Sequence, residues 1–404
     1  MQSTVSYLSI IKRLMLPLGI TWLILLFLFT GAMIAVHLIP ASSVMGNTAA
    51  SVNQLYEIPQ PPDTPLIPTL LHHDTFTDRI ILDMVRTADT SQPVYAAMMN
   101  FFPANDIQFD DTKKIFDEGP AEDYARYWHG HQIPARIAMT FITLKPLMIF
   151  NTIAGIILFI AVTACIWRRT AAGYALTFAA FILASGFPLT MWSLQLTDIY
   201  FITFIATLCT LCVPRLTLSI RNLSITFFTI GAVTTFFDFL TFPLFTLCIP
   251  LATLLLVRGI CNRHDVTIAT LSWGLGYGLL WASKWIAGSI ITGNNLFLKA
   301  IEGAGERIGD IPSDSRILLV VLAVTAIFLL IAIFTGRRKN YRLDALLFIA
   351  ALPILWFIVL KNHSTVHFFF TWRTLLITYY CITIYYLVNH GSKRKNSNPD
   401  TLLQ

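Results

Sequence analysis

Ten apolar stretches separated by polar connections dominate the pattern of this sequence. A helix needs about 20 apolar residues to cross the hydrocarbon of a membrane, and each stretch reaches or approaches that length. The predicted spans are 14–38, 147–166, 171–187, 197–213, 223–240, 243–258, 268–291, 317–335, 343–360 and 374–389. We therefore predict an all-α, polytopic membrane protein whose residues 1–404 form a single integral-membrane domain.

The connection between the first two spans, residues 39–137, is the largest polar segment of the chain. Prolines between 59 and 68 favour an extended chain there. Apolar residues at helical spacing over 80–85 predict a short amphipathic helix lying on the membrane, capped at Asp74 or at a threonine close behind it. A second helix is predicted over 121–133. The segment is therefore expected to be a large loop with juxtamembrane helices.

The basic residues set the predicted orientation of the spans. Lys12 and Arg13 precede the first span, and further lysines and arginines lie at every second connection and in the tail 390–404. Because cytoplasmic connections are enriched in Lys and Arg, we predict both termini in the cytoplasm and residues 39–137 on the exoplasmic side. The chain is thus expected to be a multi-pass protein of the cell (inner or plasma) membrane.

Composition agrees with a membrane protein. Hydrophobic residues make up 55% of the chain and charged residues 12%, with a mean hydropathy of +0.66, whereas soluble domains carry about 25% charged residues. The net charge of +6 does not indicate nucleic-acid binding, because the basic residues lie at span ends. None of the six cysteines falls in the large loop, so no disulfide framework is expected there.

Ionisable residues at the outer ends of the spans are the first candidates for function. Asp198, Asp238 and Lys284 lie in or beside apolar segments, where an ionisable group is costly and usually faces a cavity or a partner. For Asp238 the alternative is a helix-end cap at the turn before Pro243. For Lys284 the choice is between an anion-binding site and a side chain that extends to the membrane surface.

A second set of candidates lies just before the last span. His363 and His367 are four positions apart, and Arg373 follows them. On one helical face, two imidazoles and a guanidinium form a phosphate-binding group. His-x-x-x-His is also a metal-ligand spacing, although no HExxH pattern is present. The alternative is a polar belt at the membrane interface.

The stretch 117–136 is the most polar and aromatic-rich passage next to a long apolar segment. As a helix it would place Glu122 and Arg126 one turn apart. Tyr127, Trp128 and His129 would then lie at the membrane boundary, either as a substrate pocket or as an aromatic belt. Tyr and Trp favour that boundary, because their rings are apolar and their polar tips bind water.

Carboxylates of the large loop supply the candidate base. Asp74 and Asp78 are four positions apart, so they could hold a divalent cation, or perturb one another into a base of useful pKa. The alternative is a solvated helix start with its acids at the favourable end of the dipole. The acidic, glycine-containing connection 293–316 is expected to be a mobile lid or a linker.

Three segments carry a resemblance to a known class. YARYWHGHQIPAR before the second span, FFDFLTFP and NHSTVHFFFTWR, together with a large first outer loop, resemble the GT-C class of integral-membrane glycosyltransferases, in particular bacterial ones. The resemblance implies an enzyme that uses a polyprenyl-phosphate-linked sugar at the outer face. Such enzymes usually carry an acid within a few positions of the first span, whereas the first acid here is Glu57. We therefore assign the base to Asp78, with Asp74 in reserve.

These observations together predict a sugar transferase of the cell envelope. Asp78 would take the proton of an acceptor hydroxyl on a glycan or lipid, and cations would stabilise the departing lipid phosphate. Tyr127, Trp128 and His129 would shape the pocket, and Asp238 would contribute to substrate binding. The predicted phosphate-binding residues are Lys284, His363, His367 and Arg373. No cofactor is required, although a divalent cation is compatible with this chemistry.

Two other classes remain open from the sequence. A transporter or flippase of lipid-linked glycans would need charged residues through the depth of the membrane, whereas here they gather on one side. A non-catalytic partner in envelope assembly would carry the same acids as a plain surface. The discriminating observation is whether Asp78, Asp238, Lys284, His363 and Arg373 line one cavity.

Overall fold

The structure, a computed structural model, describes residues 7–57, 74–87, 90–103, 121–258, 263–308, 316–339 and 344–395. The proline-rich segment 59–68 and the end of the predicted tail, 396–404, lie outside the described residues. The described part is almost wholly helical, which confirms the predicted fold class at that level. A single antiparallel pair of two-residue strands, β1 (Phe102–Pro103) and β2 (Ala121–Glu122), is the only sheet within these ranges.

The helices follow the predicted apolar stretches closely. A helix covers each of the ten, and short helices occupy the connections. In chain order they are α1 Tyr7–His37, α2 Ala41–Tyr56, α3 Thr75–Thr87, α4 Pro93–Met99, α5 Gln132–Met139, α6 Leu144–Arg169, α7 Ala172–Ala184, α8 Leu194–Cys212, α9 Ile220–Phe237, α10 Leu244–Arg258, α11 Arg263–Thr292, α12 Leu296–Ile308, α13 Arg316–Lys339, α14 Ala345–Val359, α15 Lys361–Val366, α16 Phe368–Thr371 and α17 Leu376–Lys395.

Several of these helices suit a membrane. Five of them are long and apolar enough to cross one: Lys12–His37, Leu144–Arg169, Leu194–Cys212, Ile220–Phe237 and Leu318–Gly336. Helices α7, α10 and α14 are apolar but shorter. Large apolar side chains such as Phe27 and Ile290 are more than three-quarters exposed on the outside of the bundle. A surface this apolar fits contact with lipid rather than water.

The tightest helix contact of the bundle joins α9 and α11. Gly231 and Gly276 lie where the two backbones meet. A Cβ atom at Gly231 would lie 2.1 Å from the carbonyl oxygen of Trp273, and one at Gly276 would lie 2.1 Å from that of Phe228. Small residues let two helix backbones come this close in a membrane. There the hydrophobic effect does not favour helix pairing, so dispersion contacts between closely packed helices stabilise the pair instead.

Helix α3 is confirmed as a helix, but the prediction that it lies on the membrane surface is wrong. Every residue from 78 to 86 is buried within the protein. Its charges are satisfied internally, because Arg79 and Arg86 donate to the two oxygens of Asp83 at 2.7 and 2.9 Å. A buried acid between two arginines removes the need for a water-facing side.

The predicted helix over 121–133 is also wrong. Strand β2 begins the segment, a turn follows at 125–127, and α5 starts only at Gln132. The backbone of this stretch bonds to other elements instead: Tyr124 N–H donates to the Met99 carbonyl, and Gly130 N–H to that of Phe236, at 3.0 and 2.8 Å. His129 adopts a left-handed φ of 59°, which ends any continuous helix.

Three helices, α2, α4 and α12, occupy segments in which none was predicted. Helix α2 follows the first span directly and packs on α3. Helix α12 fills most of the connection expected to be a lid or linker, and its Leu296 packs against Met99 and Ala125. Lys299 on α12 also forms a 2.8 Å ion pair with Asp123. Tertiary partners supply the stabilisation that such short polar helices lack alone.

Candidate functional site

A cavity of about 230 Å³ opens at the end of the bundle predicted to be exoplasmic. The helices run antiparallel in sequence, so the start of α8, the connection from α9 to α10 and the segment after α14 all reach this end. The cavity is lined by Thr77, Tyr124, Arg126, Tyr127, Gln195, Phe239, Gly303, Asn362, His363, Val366, His367 and Phe370. Among the described residues that line it, none is acidic.

Arg126 supplies the fixed positive charge of this cavity. Two indoles of α11 hold its backbone, because Trp281 and Trp285 donate their Nε1–H groups to the Arg126 carbonyl at 2.7 and 2.9 Å. Its guanidinium carbon lies 4.5 Å from the centre of the Tyr124 ring, a cation–π distance. None of the ion pairs among the described residues involves Arg126. Its charge is therefore available to an anion.

Aromatic rings form one wall of the cavity. Tyr127 stacks on Trp281 at a ring-centre distance of 5.6 Å, and Phe239 lies edge-on to Tyr127 at 5.5 Å. Tyr124 is parallel to Phe239 at 6.1 Å. Flat apolar faces beside hydroxyl groups suit the alternating C–H and O–H surfaces of a sugar ring. Of the three predicted pocket-shaping residues, only Tyr127 lines the cavity.

His363 and His367 line the opposite wall, as the phosphate hypothesis requires. Their ring centres are 4.7 Å apart. His363 Nε2 lies 3.0 Å from the Leu240 carbonyl oxygen. Because this oxygen can only accept a hydrogen bond, Nε2 carries the hydrogen and donates it. His367 stacks on Phe370 at 5.3 Å. Both rings are thus held in fixed orientations beside the cavity.

Trp128 and Lys284 do not line the cavity; they pack against each other inside the bundle. Trp128 is fully buried, and its Nε1–H donates to the Leu280 carbonyl at 2.7 Å. Lys284 Nζ lies 5.4 Å from the Trp128 ring centre and donates to the Ala97 carbonyl at 2.9 Å. The ammonium group therefore neutralises the carbonyl end of α4, and the structure does not place it near the predicted phosphate.

His129 also points away from the cavity. Its Nε2 lies 2.7 Å from the Tyr124 carbonyl, and its neighbour His131 is equally buried. Burial lowers the pKa of His129 well below the usual range, with His131 adding to the effect, and burial lowers the pKa of His131 to about 3. Both imidazoles are therefore neutral at pH 7 and contribute no positive charge to an anion site.

Asp74 and Asp78 both hold helix ends. Asp74 accepts hydrogen bonds from the N–H and hydroxyl of Thr77 at 3.1 and 2.6 Å. It therefore caps the start of α3, which is one of the two roles predicted for it from the sequence. Asp78 is fully buried and accepts from the Ser193 hydroxyl and the Gln195 N–H at 3.1 and 3.0 Å. It therefore fixes the first turn of α8 and, through it, the position of Gln195 in the cavity.

Asp238 lies directly behind the cavity wall at the end of α9. Its Oδ1 accepts from the Thr241 N–H at 3.0 Å and from the Thr241 hydroxyl. The next residue, Phe239, lines the cavity, and the turn continues to Leu240, which accepts from His363. Burial raises the pKa of Asp238 to about 6, although the Thr241 hydrogen bonds act in the opposite direction.

Arg373 does not reach the cavity, contrary to its predicted role. It is fully buried, and its Nε–H donates to the Ser185 carbonyl at 2.8 Å while Nη1–H donates to that of Phe369 at 3.0 Å. The guanidinium thus joins the end of α7 to α16. Three of the predicted site residues line the cavity, namely Tyr127, His363 and His367, and the other seven lie behind or beyond its wall. Of the five residues whose meeting in one cavity was expected for an enzyme, only His363 lines it, so that expectation is wrong.

We expect Arg373→Lys to lower stability without changing the affinity for an anionic ligand. Lysine cannot reproduce the two bonds that the guanidinium makes in different directions, and the loss of charge-assisted bonds costs about 2 kcal/mol. The measurement is the midpoint of thermal unfolding in detergent. Arg168→Lys, at an exposed arginine on α6, is the matched control and should leave the midpoint unchanged. An unaltered midpoint for Arg373→Lys would refute this structural role.

The sequence interpretation missed several residues of the cavity. Gln195, Asn362 and Tyr124 line it, yet each is an uncharged residue in a segment judged by its ionisable neighbours. Arg126 was identified only as a helix partner of Glu122. Its position beside Tyr127, next to the outer end of a span, was the signal for a role in the cavity.

A larger cavity of about 570 Å³ lies at the opposite end of the bundle, between α11, α13, α14 and α17. Arg263 and Asp344 form an ion pair at its edge. None of the predicted site residues lines it, so the candidate site stays with the smaller cavity.

Within the described segments, no group of three or more His, Cys, Asp or Glu residues could hold a metal ion. No protein family, no curated protein and no solved structure matches this chain.

Proposed function

We propose that this chain is a membrane glycosyltransferase that moves a sugar from a polyprenyl-phosphate carrier to an acceptor hydroxyl at the exoplasmic face. The observation that carries the proposal is the composition of the smaller cavity. Arg126 provides hydrogen-bond donors for a phosphate, His363 and His367 would add donors in their protonated form, and aromatic rings lie beside them. Few ligands other than a glycosyl phosphate combine an anionic group with a sugar surface in this way.

The position of the cavity supports a lipid-linked donor. It opens at the ends of apolar helices, so a polyprenyl chain would lie along the exposed apolar surface of the bundle while its phosphate enters the cavity. The ten predicted spans, both termini in the cytoplasm and a GT-C-type arrangement belong to this proposal. Helices α11 and α17, of 30 and 20 residues, are long enough to serve as spans beside the five most apolar ones.

The residues of the cavity suit substitution at an anomeric carbon. The acceptor oxygen attacks that carbon, the bond to the phosphate oxygen breaks, and the polyprenyl phosphate leaves with the electron pair. Arg126 and the two histidines would stabilise the growing negative charge, which is the largest electrostatic requirement of this reaction. Gln195 and Asn362 would bind sugar hydroxyls, since each amide both donates and accepts hydrogen bonds.

Binding of farnesyl phosphate, compared with farnesol, tests the anion site directly. Both probes carry the same apolar chain, so their difference reports the phosphate alone. We expect the phosphate to bind at least tenfold more tightly, which corresponds to about 1.4 kcal/mol. The measurement is a titration of the purified protein in detergent. Equal affinity for the two probes would refute the phosphate site.

Transfer itself is tested with polyprenyl-phosphate-linked hexoses and an alkyl glycoside acceptor, with products identified by mass spectrometry. We expect a new glycosidic bond and release of polyprenyl phosphate in equal amounts. Binding of farnesyl phosphate without transfer from any hexose carrier would leave a lipid-phosphate binding protein and remove the enzymatic part of the proposal.

A further inference from the structure

Asp198 and Asp238 form a pair of carboxylates behind the cavity wall. Asp198 is one helical turn beyond Gln195 on α8, and Asp238 is next to Phe239; both of these neighbours line the cavity. Helix α8 packs against α9, and the ring centre of Tyr200 on α8 lies 5.5 Å from that of Phe242, four residues after Asp238. The two carboxylates therefore lie beside the cavity on two different elements, α8 and the end of α9. They are about forty positions apart in the sequence.

Three oxygen atoms at this place have no hydrogen-bond donor among the described residues. They are Oδ2 of Asp198, Oδ2 of Asp238 and Oε1 of Gln195, and each is buried. Asp238 is 2% exposed and Gln195 is 4% exposed. Buried acceptors are almost always paired, because a hydrogen bond lost on burial destabilises the folded protein. Three such acceptors beside one cavity are explained by a ligand that brings hydroxyl hydrogens.

We infer that the Asp198–Asp238 pair is the proton acceptor of the transfer reaction, with the acceptor hydroxyl bound between this pair and the Gln195 amide oxygen. The inference rests on the proposed function and deepens it. In this step the O–H bond of the acceptor breaks, its proton passes to a carboxylate oxygen of the pair, and its oxygen forms the new bond to the anomeric carbon. The polyprenyl phosphate departs with the electrons of the broken C–O bond.

The inference assigns to Asp78 a positioning role instead of the predicted base. Oδ1 of Asp78 accepts two hydrogen bonds from the first turn of α8, so this carboxylate holds the backbone that carries Gln195. Asp78 acts indirectly, because it orients Gln195 and the first turn of α8, and Asp198 lies on the next turn of that helix.

Replacement by asparagine separates these roles. Asp238→Asn keeps an oxygen that accepts from Thr241, so the turn should survive. We expect kcat to fall about 100-fold or more, because a general base contributes at least that factor, while the affinity for farnesyl phosphate stays unchanged. Asp198→Asn should give the same pattern. Asp78→Asn, at a positioning residue, should lower the unfolding midpoint and reduce kcat much less than the other two variants do, and it should keep the rise of the rate with pH.

The pH profile of the unmodified protein provides a test that needs no variant. Burial raises the pKa of Asp238 to about 6, and the pair accepts a proton only when ionised. Transfer should therefore rise between about pH 5 and 7, and this limb should disappear in Asp238→Asn. The other titratable groups around the turn are Asp198 on α8, His129 and His131 before α5, and His363 on α15.

The outcomes distinguish this inference from the proposed function. If the unmodified protein transfers sugar and Asp198→Asn and Asp238→Asn retain kcat, the pair is not the acceptor, although the enzyme is established. Loss of kcat in Asp78→Asn alone, at an unchanged unfolding midpoint, would restore Asp78 as the base and also overturn the inference. A pH-independent rate of the unmodified protein has the same consequence. Failure of farnesyl phosphate to bind overturns both proposals.

Discussion

Gly231→Ala is expected to prevent normal assembly of the bundle. The added Cβ would lie 2.1 Å from the backbone carbonyl oxygen of Trp273, far inside contact distance. A carbonyl of the helix backbone cannot rotate away as a side chain does, so α9 and α11 must separate along their length. Overpacking usually costs about 1–3 kcal/mol, and we expect a loss at or above the upper end of that range. The measurement is the midpoint of thermal unfolding of the purified protein in detergent.

Gly274→Ala is the matched control for this effect. Gly274 lies on the same helix, α11, and a Cβ there would meet nothing within 4 Å. Because alanine is the better helix former by about 1 kcal/mol, this variant should unfold at the same or a higher temperature. Gly276→Ala should repeat the loss, since its Cβ would meet the Phe228 carbonyl at the same distance. Equal behaviour of Gly231→Ala and Gly274→Ala would contradict the close approach of the two helices.

Arg126→Gln is expected to weaken the binding of farnesyl phosphate by about tenfold to a hundredfold. Hydrogen bonds to charged groups contribute about 1.5–3 kcal/mol, and Arg126 is the one lining residue of the described cavity that is charged at every physiological pH. Glutamine keeps part of the length of the side chain and removes the charge. The affinity for farnesol should not change. Titration with both probes measures the difference.

Lys299→Gln serves as the control for a general electrostatic effect. Lys299, on α12, lies near Arg126. Its ammonium group forms an ion pair with Asp123 at 2.8 Å. Its removal should change phosphate affinity by less than about threefold, because an exposed ion pair contributes little and its charge is already balanced. If Lys299→Gln and Arg126→Gln weaken binding equally, the long-range field and not the guanidinium contact is responsible.

The predictions for the site were right or wrong depending on where each side chain finds its hydrogen-bond partner. His363, His367 and Tyr127 were placed correctly at the cavity, because residues at outer span ends gather at one end of any antiparallel bundle. Trp128, Lys284 and Arg373 were not, since each bonds to a backbone carbonyl inside the protein. A polar side chain near a span end can form its hydrogen bonds with groups inside the protein or with a ligand or water in the cavity. The sequence does not distinguish these two outcomes.

The same limit explains the segment before the second span. A helix was predicted over 121–133, in which Glu122 and Arg126 would lie one turn apart, but the N–H groups of Tyr124 and Gly130 donate to Met99 and Phe236 in other elements. Helix formation in short polar segments is marginal without tertiary packing. Partners distant in the sequence therefore decided the local conformation in this stretch.

The amino-acid sequence by itself determined that this chain is helical and suited to a membrane, and where along the chain its apolar helices lie. That information is local, because a run of apolar residues must satisfy its own backbone hydrogen bonds within one helix. Only the tertiary structure decided which polar side chains share a cavity. Arg126, Gln195 and His363 come from three separate segments, and their meeting depends on helix packing that no short-range pattern records. The physical reason is that burial of a polar group depends on its partner, and the partner is chosen by the fold.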